Sequence, residues 1–266
     1  MNNLNKFIKK INKKKICLGA GIWFREPLIS ELFCELGFDF LWICSEHTAL
    51  DNGDILAHIM ATKGSDVAAF VRVPGIKQEI VKPILEMDPA GIIFPFVQTE
   101  TDAISAIKLC RYPPYGIRGF GPIRSNDFYN MDLDKYCEKS KNNPWVILQI
   151  EHIDAVNNLD KILEVQGINS IVIGPNDLAN SMGLFGQSKI DEILRIIELV
   201  LKKIKSKGIV AGVAIGYDLE EITNYKRLID YGADWFSITS DFAALRCFSK
   251  MMLSSTRDIS EKRNIK

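Results

Sequence analysis

The sequence predicts a (β/α)8 barrel built as one domain over residues 1–266. Three observations carry that prediction. Eight short apolar runs recur along the chain. Amphipathic helical segments separate them, and eight alternations of strand and helix are the pattern of a closed parallel barrel. No G-x-G-x-x-G follows the first run, where a dinucleotide-binding open sheet would carry it.

A basic stretch, "NKFIKKINKKK" (5–15), precedes the first run and reads as a solvated first helix. The first strand is "ICLGAGIW" (16–23). The helix after it, "PLISELFCELG" (27–37), opens on proline and closes on glycine, the expected punctuation. Strands two to four are "FDFLWIC" (38–44), "AAFVRVP" (68–74) and "GIIFPFV" (91–97). The helical segments "KQEIVKPILEM" (77–87) and "TETDAISAIKLC" (99–110) lie on either side of the fourth. Strands five to eight are "WVILQIE" (145–151), "SIVIGP" (170–175), "IVAGVAI" (209–215) and "WFSITS" (235–240), with "DEILRIIELVLKKIKSKG" (191–208) before the seventh. All eight are almost continuously apolar, as parallel strands buried on both faces should be.

One connection is long, Arg111 to Pro144, and a loop of that length is expected to serve the active site or to be an insertion. It begins "YPPYGIRGFG", whose glycines suit an anion cradle or plain turns.

Composition narrows the function. Lysine plus arginine equals aspartate plus glutamate, 33 each, which argues against a nucleic-acid binder. No apolar run approaches the ~20 residues of a membrane span, and no signal peptide is visible. The six cysteines are scattered without a C-x-x-C pair, as expected of reduced thiols in a cytoplasmic protein.

Barrel enzymes place their chemistry at the C-terminal ends of the strands. Reading those ends gives His47 after strand two, Arg72 ending strand three, Gln149 and Glu151 ending strand five, and Asp177 in "GPNDL" after strand six. Gln149 and Glu151 are two apart and share a face. Glu151 and Asp177, on neighbouring staves, suit an oxygen-ligated divalent cation such as Mg²⁺ or Mn²⁺. The plainer readings are a salt bridge from Glu151 to Arg72 and a helix N-cap for Asp177. Arg72 suits an oxyanion or a barrel-filling ion pair. His47 suits a proton carrier or a hydrogen-bonded rim histidine. The backbone of Gly174, Pro175, Asn176 and Asp177 suits a carboxylate. His58, inside a helical pattern, reads as structural, and His152 points away from Glu151 if the strand continues. No lysine ends a strand, so a Schiff base has no donor there and a metal must supply the electrophile.

The blocks "LGFDFLWICSEHT", "VRVP", "GIIFPFVQTETDA", "RYPPYGIRGFG", "LQIE" and "IGPNDLANSMG", in that order, resemble the HpcH/HpaI aldolase family of metal-dependent pyruvate aldolases. The resemblance runs from Leu18 to Asp241. It implies a (β/α)8 barrel that cleaves a 4-hydroxy-2-oxo acid reversibly to pyruvate and an aldehyde. It implies Mg²⁺, Mn²⁺ or Co²⁺ on Glu151 and Asp177, with Gln149 in support. Arg72 would stabilise the enolate, His47 would be the base, and Gly174 to Asp177 would hold the pyruvate carboxylate. It also implies a homo-oligomer, a trimer of dimers, with the C-terminal helix packed on a partner barrel. Two positions depart from the family pattern: Cys44 and Glu86 stand where aspartates usually support the histidine and the arginine. An oxaloacetate-type decarboxylase, a lyase of CoA thioesters, and a barrel that binds oxo acids without turnover are the alternatives. Substrate specificity is expected in the strand-end loops, above all Arg111 to Pro144, and in a neighbouring subunit.

Overall fold

The structure, a computed structural model, describes residues 2–184, 190–215 and 222–263. In chain order its first half comprises α1 (Leu4–Asn12), β1 (Cys17–Ile22), α2 (Pro27–Glu35), β2 (Phe40–Cys44), α3 (Asn52–Ala61), β3 (Ala68–Arg72), α4 (Gln78–Glu86), β4 (Gly91–Phe94) and α5 (Glu100–Cys110). Its second half comprises α6 (Leu133–Ser140), β5 (Trp145–Ile150), α7 (Ile153–Asn157), α8 (Leu159–Leu163), β6 (Ser170–Ile173), α9 (Pro175–Ser181), α10 (Ile190–Ser206), β7 (Val210–Ala214), α11 (Ile222–Asp230), β8 (Trp235–Ser240) and α12 (Asp241–Arg263). The eight strands close in sequence order, each parallel to its neighbours, with β8 pairing back on β1. All eight predicted runs are strands.

Period-two alternation sorts the strand residues into two cores. Leu41, Ile43, Val71, Ile92, Val146, Leu148, Ile171 and Ile173 face outward and pack under the helices. Phe40, Trp42, Cys44, Ala68, Phe70, Ile93, Ile147, Val172 and Trp235 face inward and fill the barrel. Glycines make room for the large inner rings. A Cβ on Gly19 would lie 2.3 Å from the Phe40 ring, and one on Gly212 would lie 2.1 Å from the Trp235 ring. The Trp235 indole N–H donates to Ser170 Oγ at 3.0 Å, so the buried ring leaves no stranded donor. Gly212→Ala is expected to overpack this layer and lower the unfolding free energy by roughly 1–3 kcal/mol, read as a lower urea midpoint.

The basic N-terminal segment does more than solvate. Helix α1 closes the N-terminal end of the barrel with its apolar edge, burying Leu4 and Phe7. Phe7 meets Phe40, Phe70 and Trp145 edge-on, with centroids 5.8, 5.1 and 5.6 Å away. Its lysines stay on the outer side, where Lys6 pairs with Asp66 and Lys10 with Asp39.

The long connection corrects an expectation. It follows α5 and precedes β5, so within one chain it lies at the N-terminal end, opposite the strand ends. Arg111 ties it there, donating to the carbonyl of Pro144 and to Asn169 Oδ1. Its glycine-rich start is turn chemistry: a Cβ on Gly116 would lie 2.3 Å from the carbonyl oxygens of Lys108 and Arg111. The Ile117 N–H then caps the Lys108 carbonyl at 2.9 Å.

Candidate active site

The inward parity that fills the barrel with aromatic rings turns polar at its C-terminal end. Phe40 and Trp42 lead to Cys44, Ala68 and Phe70 lead to Arg72, and Trp145 and Ile147 lead to Gln149. Cys44 and Arg72 are register partners on β2 and β3, side by side at the top of the barrel. Gln149, Glu151 and Arg72 are 2 %, 1 % and 6 % exposed, so this polar layer is a buried site.

Glu151 is held from two sides. The Phe96 N–H donates to its Oε1 at 2.8 Å, and Gln149 Nε2 donates to its Oε2. Phe96 adopts φ 49° to do so, a left-handed conformation that a non-glycine residue seldom takes. Gly174, at the top of β6, is the neighbour that leaves room: a Cβ there would lie 2.9 Å from Glu151 Oε2 and 3.0 Å from Gln149 Nε2. Burial raises the Glu151 carboxyl to about 7, with the Asp177 and Glu46 charges adding to the rise against the Phe96 hydrogen bond and Arg72.

Arg72 lies across the centre of the barrel. Its guanidinium stands 5.3 Å over the Trp42 ring. Nη2 donates to Cys44 Sγ at 3.0 Å, and Nε lies 3.1 Å from Glu46 Oε2. Burial works to lower the Arg72 pKa, but Cys44 and Glu46 outweigh it and the pKa rises. Glu46 Oε2 is also 3.6 Å from His47 Nε2. His47 is partly open to solvent, stands beside the Trp23 ring at 6.4 Å between centroids, and sends its backbone N–H to Cys44 Sγ at 3.4 Å.

Glu46 is the member that reading the strand ends misses. The signal was present: it lies two residues beyond Cys44, on the inward parity, as Glu151 lies two beyond Gln149. Burial pushes its carboxyl above the usual range, against the pull of Arg72 and His47.

Asp177 sits in the first turn of α9, after Gly174 as N-cap. Not all four residues of that turn can serve as backbone donors. The Gly174 N–H is committed to the Ile150 carbonyl at 3.1 Å, and Pro175 has none. Asn176 and Asp177 retain first-turn N–H groups without a helical acceptor. Glu86 stands elsewhere. As the last residue of α4 it lies at the N-terminal end of the barrel, where it accepts from Arg118 Nη2 at 3.1 Å. Within one chain it supports neither Arg72 nor His47. His58 is structural, bridging Ser30 Oγ and the Phe24 carbonyl at 2.9 Å each. His152 caps α7, its Nδ1 accepting from the Asp154 N–H.

The family model described as HpcH/HpaI aldolase/citrate lyase matches residues 25–241, most of the chain and all of this site. The chain belongs to the HpcH/HpaI aldolase/citrate lyase family. A 5-keto-4-deoxy-D-glucarate aldolase of Citrobacter koseri is 30% identical over 242 residues, covering 91% of this chain and 92% of the relative. The structure of an HpcH/HpaI aldolase from Desulfitobacterium hafniense superposes with a TM-score of 0.87 at 26% identity, covering 94% and 96% of the two chains. The citrate synthase SbnG shares the fold, with a TM-score of 0.82 at 23% identity over 95% and 98% of the two chains. This HpcH/HpaI chain is therefore an enzyme, a carbon–carbon lyase of the aldolase kind with a (β/α)8 fold.

The site's charges fit a divalent cation. Glu46, Glu151 and Asp177 set three carboxylates near the single guanidinium of Arg72, so with all three ionised the negative charges outnumber the positive. The buried Gln149 Oε1 has no hydrogen-bond partner among the described residues. Carboxylate and amide oxygens are the ligands that Mg²⁺ and Mn²⁺ prefer. Among the described residues no three His, Cys, Asp or Glu side chains gather into a group that could hold a metal ion, so Glu151 and Asp177 would act as a pair.

Proposed function

We propose that this aldolase reversibly cleaves a 4-hydroxy-2-oxo acid, of the keto-deoxy sugar acid class, to pyruvate and an aldehyde. The observation that carries the reading is the carboxylate excess facing one buried arginine at the barrel's C-terminal end. The substrate class follows the relative's name, 5-keto-4-deoxy-D-glucarate aldolase. Glu151 and Asp177 would hold a divalent cation, with Gln149 and the Phe96 N–H fixing Glu151. When bound, that cation supplies Lewis-acid polarisation of the 2-oxo group.

The chain's own residues do the rest. The N–H groups of Asn176 and Asp177 face the substrate carboxylate. His47 takes the proton from the C4 hydroxyl, the C3–C4 bond breaks to release the aldehyde, and its electron pair becomes the pyruvate enolate. Arg72 stabilises the enolate oxygen, and a proton returned to C3 completes pyruvate. A chelator should abolish turnover and a divalent ion restore it. Pyruvate with borohydride should leave the protein mass unchanged; a reduced lysine adduct would overturn the reading.

The assembly we infer is a trimer of dimers. Beyond Ala243, α12 buries none of its described residues, and it exposes Leu245, Phe248 and Met252 along one side. On α2 and its C-cap, Leu28, Leu32 and Leu36 form an exposed stripe at helical spacing. A second copy covering these faces completes the outer layer. Mass photometry should show a hexamer, and a chain ending at Arg246 should run smaller. Cys17, Cys34, Cys44, Cys110 and Cys137 carry free thiols, which suits the cytoplasm. No described helix is long and apolar enough to cross a membrane.

A further inference from the structure

We propose that Glu46 is a positioning residue, the shared counter-ion that holds Arg72 and His47 in their working orientations. The inference rests on the roles given above to Arg72 and His47. Its basis is the way the guanidinium is divided among its neighbours. Nη2 is taken by Cys44 Sγ at 3.0 Å. Nε faces Glu46 Oε2 at 3.1 Å. Nη1 donates to none of the described residues and is left for substrate. A guanidinium is flat and rigid, so fixing two of its edges fixes where the third points.

Glu46 is well placed for that task. Its side chain is 10 % exposed, beside an Arg72 side chain that is 8 % exposed. Its Oε2 and Arg72 Nε are close enough to pair yet make no aligned hydrogen bond with each other or with any other described group. The contact is therefore chiefly one of charge. The same oxygen lies 3.6 Å from His47 Nε2, so one carboxylate serves two cationic partners once the imidazole takes up a proton. Cys44 cannot share this work on equal terms. Its sulfur is a weak acceptor, already engaged by Arg72 Nη2 and the His47 backbone N–H.

That dependence on Glu46 gives a test that a merely structural glutamate would not pass. The Mn²⁺-loaded enzyme is assayed for aldol addition of pyruvate to glycolaldehyde, with kcat and KM measured separately. Far-UV circular dichroism and Mn²⁺ binding establish that each variant is folded and loaded. Glu46→Gln is expected to lose roughly 10²-fold in kcat, the usual cost of misplacing a catalytic group by about 1 Å, with KM for pyruvate little changed. The double variant Cys44→Asp/Glu46→Gln is expected to regain about tenfold or more, because it restores a carboxylate beside Arg72. Glu46→Gln with wild-type kcat overturns the proposal, and so does a folded double variant that is no faster than Glu46→Gln. If Glu46→Gln fails to fold, the double variant decides: folded and active supports the proposal, folded and inactive overturns it. Arg72→Ala separates the two layers of the argument. Full turnover in that variant defeats the role of Arg72 itself, whereas an inactive Arg72→Ala beside a fully active Glu46→Gln defeats only this inference.

Discussion

Replacing Arg72 with alanine should lower kcat by about 10²–10³-fold, equivalent to ~2.7–4 kcal/mol of transition-state stabilisation, while the enzyme still binds its metal. The enolate oxygen gains negative charge as the C3–C4 bond breaks, and Arg72 is the cation that burial and the Trp42 ring hold at the centre of the barrel. Its charge also opposes a metal's, so its removal should not weaken metal binding. Arg72→Lys keeps the charge but loses the planar fork, and should recover only part of the rate. The comparison is kcat against Mn²⁺ affinity in the same preparations. Near-normal turnover in Arg72→Ala would leave Arg72 as a barrel-filling ion pair.

The second large effect concerns Glu151 and pH. Its carboxyl is raised from 4.5 to about 7 by burial and by the neighbouring carboxylates. Between those values the folded chain holds a proton that the unfolded chain has released. The contribution to stability is therefore full below the unfolded value and is lost as pH rises through about 7, to the extent of roughly 3 kcal/mol. Metal-free enzyme should melt at a lower temperature at pH 8 than at pH 5.5. A divalent ion should raise the melting temperature strongly at pH 8, where Glu151 is ionised, and weakly at pH 5.5, where it must displace a proton. Glu151→Gln should flatten the pH dependence, abolish the metal-induced shift and abolish turnover. A metal-induced shift that survives in Glu151→Gln would place the ion elsewhere.

The barrel and most of its rim were legible because both follow from simple periods. Eight apolar runs fixed the staves, and parity placed Gln149 and Glu151 together on the inner face. Parity also points to Glu46, two residues beyond Cys44, but it lies past the last residue of β2, where a strand period no longer holds by itself. Within one chain Glu86 lies away from Arg72. Its position follows from chain direction: α4 runs back down the barrel, so its last residue lies at the far end from Arg72. The same argument governs Arg111 to Pro144. A connection after a helix reaches the N-terminal end, whatever its length suggests about function. The committed N–H of Gly174 lay beyond any pattern, since it depends on which carbonyl of β5 faces it.

The ring cluster around Phe7 sets an order of events during synthesis. Phe7 is made early, but it packs against Phe40, Phe70 and Trp145, and the last of these follows 138 residues later. At ordinary translation rates that is a wait of roughly 7–30 s. Through that interval the apolar edge of α1 has no seat, so the emerging chain carries an exposed amphipathic helix before the barrel floor exists. The floor can close only once four of the eight staves have been made and the fifth has begun. A nascent chain stalled before Trp145 would thus present α1 to chaperones, and one released after it could bury that edge within itself.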